Sequence, residues 1–207
     1  MRKRRPPSTA MSMKPDHSNF INRAIVLAKE SLGEGNGPVG CVIVKDGRVI
    51  GEGRNLVQTS GDPTAHGEMV AIRNAAASHG AAALQGCTLY SSMEPCPMCC
   101  WAILDTKIST LVLGARHAGF KASPFGTYSV EALVAMTGRT LEIISGVREK
   151  ECEAVRYAAL ERSVREARQG SLPGEGRAKR SVERHRDGSM LAAGYALSAW
   201  FRRFRNR

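Results

Sequence analysis

Two short stretches constrain this chain more than anything else in it. His66–Gly67–Glu68 and Pro95–Cys96–Pro97–Met98–Cys99 stand thirty residues apart, and each opens a segment with helical patterning. An H-x-E alone says little, and a lone C-x-x-C reads equally as a redox pair. Together they ask the fold to bring two helix starts onto one point. One imidazole and two thiolates give a zinc ion three protein ligands and leave the fourth tetrahedral position open. Cysteines three apart on one turn can reach the same ion, and the partial positive charge of a helix N-terminus favours their thiolate form. A redox role would need neither His66 nor Glu68. A purely structural zinc is usually closed by four ligands. The nearest spare ligand, Cys100, adjoins Cys99 and so points elsewhere on the helix. The expectation is one catalytic Zn2+ per subunit, held by His66, Cys96 and Cys99.

Glu68 lies two residues beyond the histidine. It is expected beside the zinc water without binding the metal. There it takes the water proton as the water pKa drops from 15.7 toward about 7. It passes that proton to a ring nitrogen and later protonates a departing amine. The chemistry this implies is hydrolysis of a C–NH2 on an amidine-like ring carbon to C=O, with release of ammonia.

The remaining pattern supplies a scaffold. Asn19 to about Leu32 has helical spacing and stops at Gly33. Val39–Lys45 and Arg48–Arg54 are β-rich and joined by Asp46–Gly47, a hairpin signal. A polar loop over 55–65 leads to a helix from Ala65 to about Ser78. A strand at Cys87–Ser91, a short helix from Pro95–Pro97 through Asp105 and a buried strand at Thr110–Gly114 follow. A helix at Val130–Met136, a strand at Thr140–Ser145 and a helix from about Glu149 to Ala167 complete the set. Alternating strands and helices with an early hairpin predict an α/β layer domain with a mixed sheet. Cys41, Cys87 and Cys152 read as small core residues.

Charge divides the chain. The net +11 lies in the flanks: residues 1–17 carry five basic and one acidic residue, and 161–207 carry twelve basic and five acidic. The segment 18–160 holds thirteen of each and is neutral. Residues 1–17 are expected to be a disordered basic arm, with Met11 and Met13 as alternative starts. Residues 18–168 form the zinc-dependent domain, and 169–207 a basic linker and tail. The Met190–Phe204 segment is either an amphipathic helix or a loosely docked tail. Such flanks can bind RNA, DNA or anionic lipid non-specifically. No apolar run reaches the roughly 20 residues needed to span a bilayer, and a cytoplasmic location with reduced cysteines is expected.

At these residues the chain resembles the cytidine and deoxycytidylate deaminase superfamily. The stretches GPVGCVIVKDGRVIGEGRN, DPTAHGEMVAIRNA and LYSSMEPCPMCCWAI carry the likeness, which runs from about Asn19 to about Leu160. It is closest to the branch of guanine deaminases, fungal-type cytosine deaminase and bacterial tRNA adenosine deaminases. The resemblance implies a cytidine deaminase-like three-layer αβα fold around a mixed five-stranded sheet. It also implies homodimers with sites near the subunit interface. By resemblance, Asn55 bonds the base, its rival role being that of a turn residue. Pro38 and Val39 wall the base pocket, and the Glu94 carbonyl receives the amine. Phe120 either stacks on the ring or packs in the core, and Trp101 packs its helix.

Three positions bear on the substrate. Gly67 stands where the tRNA enzymes and guanine deaminases usually have alanine and fungal cytosine deaminase has glycine. His117–Ala118–Gly119 replaces an aspartate-bearing run of the tRNA enzymes, and Trp101 is bulky where they are small. The reading is therefore a deaminase of a free nucleobase or small nucleoside of guanine or cytosine type. The alternative is a tRNA wobble-adenosine deaminase whose basic flanks grip RNA. A catalytically silent zinc scaffold is a third reading, against which Glu68 speaks.

Overall fold

The computed structural model describes residues 16–120 and 125–168. The expectations for residues 1–15 and 169–207 lie outside the described residues. The chain divides into two compact units, 1–157 and 158–207.

In the first unit, α1 (His17–Gly33) begins two residues before the expected Asn19. The cause is Asp16, whose carboxylate caps the helix by accepting the Ser18 N–H at 3.1 Å. The face formed by Ile21, Ala24, Ile25 and Ala28 is buried. The hairpin of β1 (Gly40–Lys45) and β2 (Arg48–Arg54) turns at Asp46 and Gly47. Both turn residues have positive φ, 50° and 75°, as a two-residue turn of the primed type requires. The loop expected over 55–65 contains one helical turn, α2 (Val57–Ser60), which the Asn36 carboxamide anchors through the Gln58 and Thr59 N–H groups. The chain continues through α3 (Gly67–His79), a 3-10 turn at Ala81–Leu84, β3 (Thr88–Met93), α4 (Pro97–Asp105) and β4 (Thr110–Ala115). A second 3-10 turn at His117–Gly119, α5 (Val130–Thr137), β5 (Glu142–Ile144) and α6 (Glu149–Arg168) complete the described order. The described part of the second unit, 158–168, is the end of α6 and carries the i,i+4 pair Arg162–Glu166 at 2.8 Å.

The five strands form one mixed sheet in the order β2-β1-β3-β4-β5. β1 is antiparallel to β2 and β3, whereas β3, β4 and β5 run parallel. Side chains alternate between the faces. Cys41, Ile43, Leu89, Leu111 and Leu113 join α3 and α4 in one core. Gly40 lies on the opposite face, under α1, where a Cβ would fall 2.2 Å from the Ala24 carbonyl. The layered α/β architecture with a five-stranded mixed sheet is thus as the sequence led us to expect.

This topology gathers the functional segments at one end of the sheet. Gly40 pairs with Arg54, and Cys41 with Ser91. The start of β1, the end of β2 and the C-terminal end of β3 are therefore neighbours. Open α/β sheets place ligands at such strand ends. A close approach sets the height of α3: a Cβ on Gly53 would lie 2.3 Å from both Ala71 N and Gly67 O. Only glycine there lets the first turn of α3 rest on β2. No helix among the described residues is long and apolar enough to cross a membrane.

Candidate active site

His66 and Cys96 are the N-cap residues of α3 and α4. Both have extended backbone, and neither side chain caps its helix. Their side chains turn instead toward each other. Pro97 at the first helical position leaves no N–H to satisfy and fixes the entry angle of α4. Cys99, one turn in, is buried beneath them.

The three ligand atoms form a nearly equilateral triangle. His66 Nδ1 lies 3.5 Å from Cys96 Sγ and 3.6 Å from Cys99 Sγ, and the two sulfurs are 3.6 Å apart. Zn–S bonds of about 2.3 Å and Zn–N bonds of about 2.0–2.1 Å require tetrahedral edges of about 3.8 Å for S···S and about 3.6 Å for S···N. The triangle fits a single zinc to within a few tenths of an ångström. All six cysteines are free thiols. Among the described residues, this is the one His/Cys/Asp/Glu cluster able to hold a metal. Cys100 faces the α3–α4 core instead, where burial pushes its thiol up to about 11.

The electrostatics suit a metal. The hydrogen bond shared with Cys99 and the bond to His66 hold Cys96 down to about 4. Contact with Cys96 and burial raise Cys99. The bond to Cys96 raises His66. A divalent ion held by the three atoms would favour the thiolate form of both sulfurs.

Glu68, on the first turn of α3, is 3% exposed. Burial lifts its carboxyl above the ordinary carboxylate value. Its Oε1 lies 3.5 Å from Ser91 Oγ, whose single proton goes to the Met93 carbonyl at 2.6 Å. Cys41 Sγ sits 3.3 Å from the same hydroxyl. Ser91 therefore links Glu68 to the end of β3. Sequence reasoning missed it, although it stands in the LYSSMEPC stretch, because a serine in a strand carries no distinctive spacing.

Asn55 is buried where β2 ends. Its N–H donates to the Val39 carbonyl at 2.9 Å and its Oδ1 accepts from the Val57 N–H at 3.1 Å. The turn role and a free amide group thus coexist in one residue, since no acceptor among the described residues meets Nδ2. Gly67 lies against Val39: a Cβ there would sit 3.0 Å from the Val39 carbonyl oxygen and 3.4 Å from its Cγ1. Val39 thereby meets both Asn55 and Gly67, the residue before Glu68.

Glu94 was expected to act through its carbonyl, and the structure gives its side chain a separate task. It is 3% exposed. Oε1 accepts from Val130 N at 3.0 Å and from Arg116 at 3.3 Å, and Oε2 from His117 N at 2.9 Å. One carboxylate thus ties the segment before Cys96 to the ends of β4 and α5. Tyr128, also missed in the sequence, donates to the Pro95 carbonyl at 2.8 Å. Phe120 is buried with its ring 5.2 Å from that of Tyr157, a contact that favours core packing. Trp101 does not pack inside its helix layer: it is 46% exposed, with the Arg139 guanidinium 5.2 Å above its ring. The inner face of α4 is filled by Cys99, Cys100, Ile103 and Leu104.

Comparison with known proteins agrees with this geometry. The family model for the cytidine and deoxycytidylate deaminase zinc-binding region matches residues 14–115. A guanine deaminase from Bacillus subtilis is 48% identical over 114 residues, 52% of this chain and 73% of the relative. A tRNA-specific adenosine deaminase from Haemophilus influenzae is 42% identical over 134 residues, 64% of this chain and 76% of the relative. A solved structure from a study of A-to-I editing by tRNA A34 deaminases superposes with a TM-score of 0.60 at 32% identity, covering 67% of this chain and 99% of the other. With its three zinc-spaced ligands inside the matched region, the chain belongs to the cytidine and deoxycytidylate deaminase zinc-binding family and is a hydrolytic enzyme of that fold.

Proposed function

We propose that this enzyme hydrolytically deaminates a small aminated ring, a nucleobase or nucleoside of guanine or cytosine type, using one Zn2+ per subunit. The observation that carries the reading is a buried carboxylate, Glu68, two residues from one corner of a His66–Cys96–Cys99 triangle of zinc dimensions. Zinc held there supplies the Lewis acidity that brings a water pKa from 15.7 toward about 7. Glu68 takes the proton that the water gives up, and its raised basicity suits that task. Ser91 Oγ, 3.5 Å from Oε1, bounds one side of the carboxylate. The carboxylate delivers that proton to the ring nitrogen, then takes the proton of the newly added hydroxyl as the C=O forms and gives it to the leaving amine. Asn55 Nδ2 donates to a ring acceptor, and Val39 with Gly67 walls the pocket. The Glu94 side chain is already committed, so its part at the substrate falls to the backbone carbonyl, as acceptor for the amine.

The guanine deaminase likeness supports a free base, and His117 in place of an aspartate agrees with it. A second reading, deamination of a tRNA wobble adenosine, is favoured by the match to nearly the whole of a tRNA A34 deaminase. Ammonia release from a panel of bases and nucleosides, run beside inosine formation on an anticodon stem-loop, separates the two. Turnover of the small rings without RNA activity is the expected result, and the reverse outcome replaces the first reading with the second. Homodimerisation is part of the proposal and is read by light scattering. A reducing, cytoplasmic setting is also part of it, because both sulfurs must stay reduced to bind metal.

A further inference from the structure

Among the described residues, two buried side-chain nitrogens lack any hydrogen-bond partner: His117 Nε2 and Arg156 Nε. They lie on segments that pack together, the turn after β4 and the first part of α6. Cys152 sits under Gly114, where a Cβ would fall 2.2 Å from its sulfur. Glu153 Oε1 lies 3.1 Å from the place of a Cβ on Gly119, and Tyr157 meets Phe120. Arg156 is one helical turn beyond Cys152, so it shares that residue's face and is directed at the same stretch of chain. The charge of Arg156 acts on the His117 imidazole, whose basicity burial lowers.

Among the described residues no carboxylate forms an ion pair with Arg156. Burial alone lowers its basicity, with no acid to raise it again. Glu94 is occupied by Arg116 and two backbone N–H groups, Glu131 by Arg116 and Glu151 by Arg148. Glu153, one turn earlier, forms no ion pair with it among the described residues. Arg156 is partly exposed, but its Nε is buried without an acceptor, and a donor left unpaired there is costly. Its fork of donors matches an oxyanion. The His117 N–H is bound to Glu94, two residues before the first sulfur ligand, so this unsatisfied pair borders the metal loop.

We propose that Arg156 and His117 form an oxyanion subsite beside the metal centre, which recognises a phosphate or carboxylate carried by the ring substrate. The proposal rests on the deaminase reading above and extends its substrate class from the uncharged ring to anionic derivatives of it. Arg156 donates from α6, and His117 adds a donor from the turn after β4 in the tautomer that protonates Nε2.

The test uses the full-length zinc-loaded chain. Calorimetric titration with inorganic phosphate, and separately with acetate, reads the subsite without turnover. Binding of one or both is expected, weakened about 10- to 100-fold in Arg156→Gln, as for loss of a hydrogen bond to a charged group. Partial rescue is expected in Arg156→Lys, and His117→Gln supplies a variant that leaves α6 intact. In the ammonia assay, the kcat/KM ratio of a phosphorylated over an uncharged ring substrate should fall by the same factor in Arg156→Gln. A carboxylated ring run in parallel tells which anion is preferred. Equal anion affinity in wild type and Arg156→Gln overturns the proposal. So does an Arg156→Met protein that melts higher than wild type with unchanged anion affinity, which marks a structural arginine. If no small ring is turned over while phosphate binding still depends on Arg156, the deaminase reading fails and the subsite stands.

Discussion

Glu94 immediately precedes the metal loop, and replacing it with glutamine changes charge without changing shape. The carboxylate accepts from Val130 N, His117 N and Arg116 with two oxygens. A glutamine keeps one oxygen and turns an NH2 toward a backbone N–H that has no other acceptor. A hydrogen bond to a charged group is worth about 1.5–3 kcal/mol, and an unsatisfied buried donor costs about 1–3 kcal/mol. These overlap, so Glu94→Gln should cost about 3 kcal/mol. Arg116 limits the loss by keeping Glu131 at 2.6 and 2.9 Å. For a domain of this size, about 2–4 °C of Tm follow each kcal/mol, which gives a fall of about 6–12 °C. The assay is thermal unfolding of zinc-loaded protein by circular dichroism, with Glu131→Gln as the control. Glu131 is half exposed, and its loss should cost about 1 kcal/mol or less. A Glu94→Gln protein that melts within about 2 °C of wild type refutes the reasoning, as does a control equally destabilised.

Other outcomes follow from the same geometry. Glu68→Gln should retain stoichiometric zinc and lose about 10²–10⁴-fold in kcat, measured by ammonia release beside metal content; full activity would remove the assigned proton carrier. Gly53→Ala should push α3 off β2, since its Cβ meets Ala71 N and Gly67 O at 2.3 Å. About 1–3 kcal/mol of stability and measurable zinc affinity should go with it, the latter read by chelator competition. Arg23 holds the Glu52 carboxyl below its ordinary value near 4.5 through hydrogen bonds of 2.8 and 2.7 Å. The pair's stability is therefore full above pH 4.5 and lost as the pH falls through the depressed folded value. Urea titrations of wild type and Glu52→Gln should differ by about 0.2–1 kcal/mol at pH 7 and converge in acid.

The sequence spoke most clearly where a residue type has few uses. Asp46–Gly47 marked its hairpin because few residue pairs accept two positive φ angles in succession. His66, Cys96 and Cys99 announced a shared ion because nothing else needs that spacing. The start of α1 was misplaced by two residues because a cap depends on where one side chain turns, and Asp16 reads equally as part of an arm. The supports of the site were invisible for a related reason. Ser91, Tyr128 and the Glu94 side chain act through polar contacts to distant segments, and no local pattern records a partner 23 to 36 residues away. Arg156 gave no signal either: its meaning lies in the partner it lacks.

Metal content measured by mass spectrometry on natively purified protein, for wild type and Cys96→Ser together, bears most directly on the central claim. One zinc per folded wild-type chain, and almost none in the variant, is the result this account requires. A folded wild-type chain without stoichiometric zinc, or a Cys96→Ser chain that binds it as well as wild type, contradicts it.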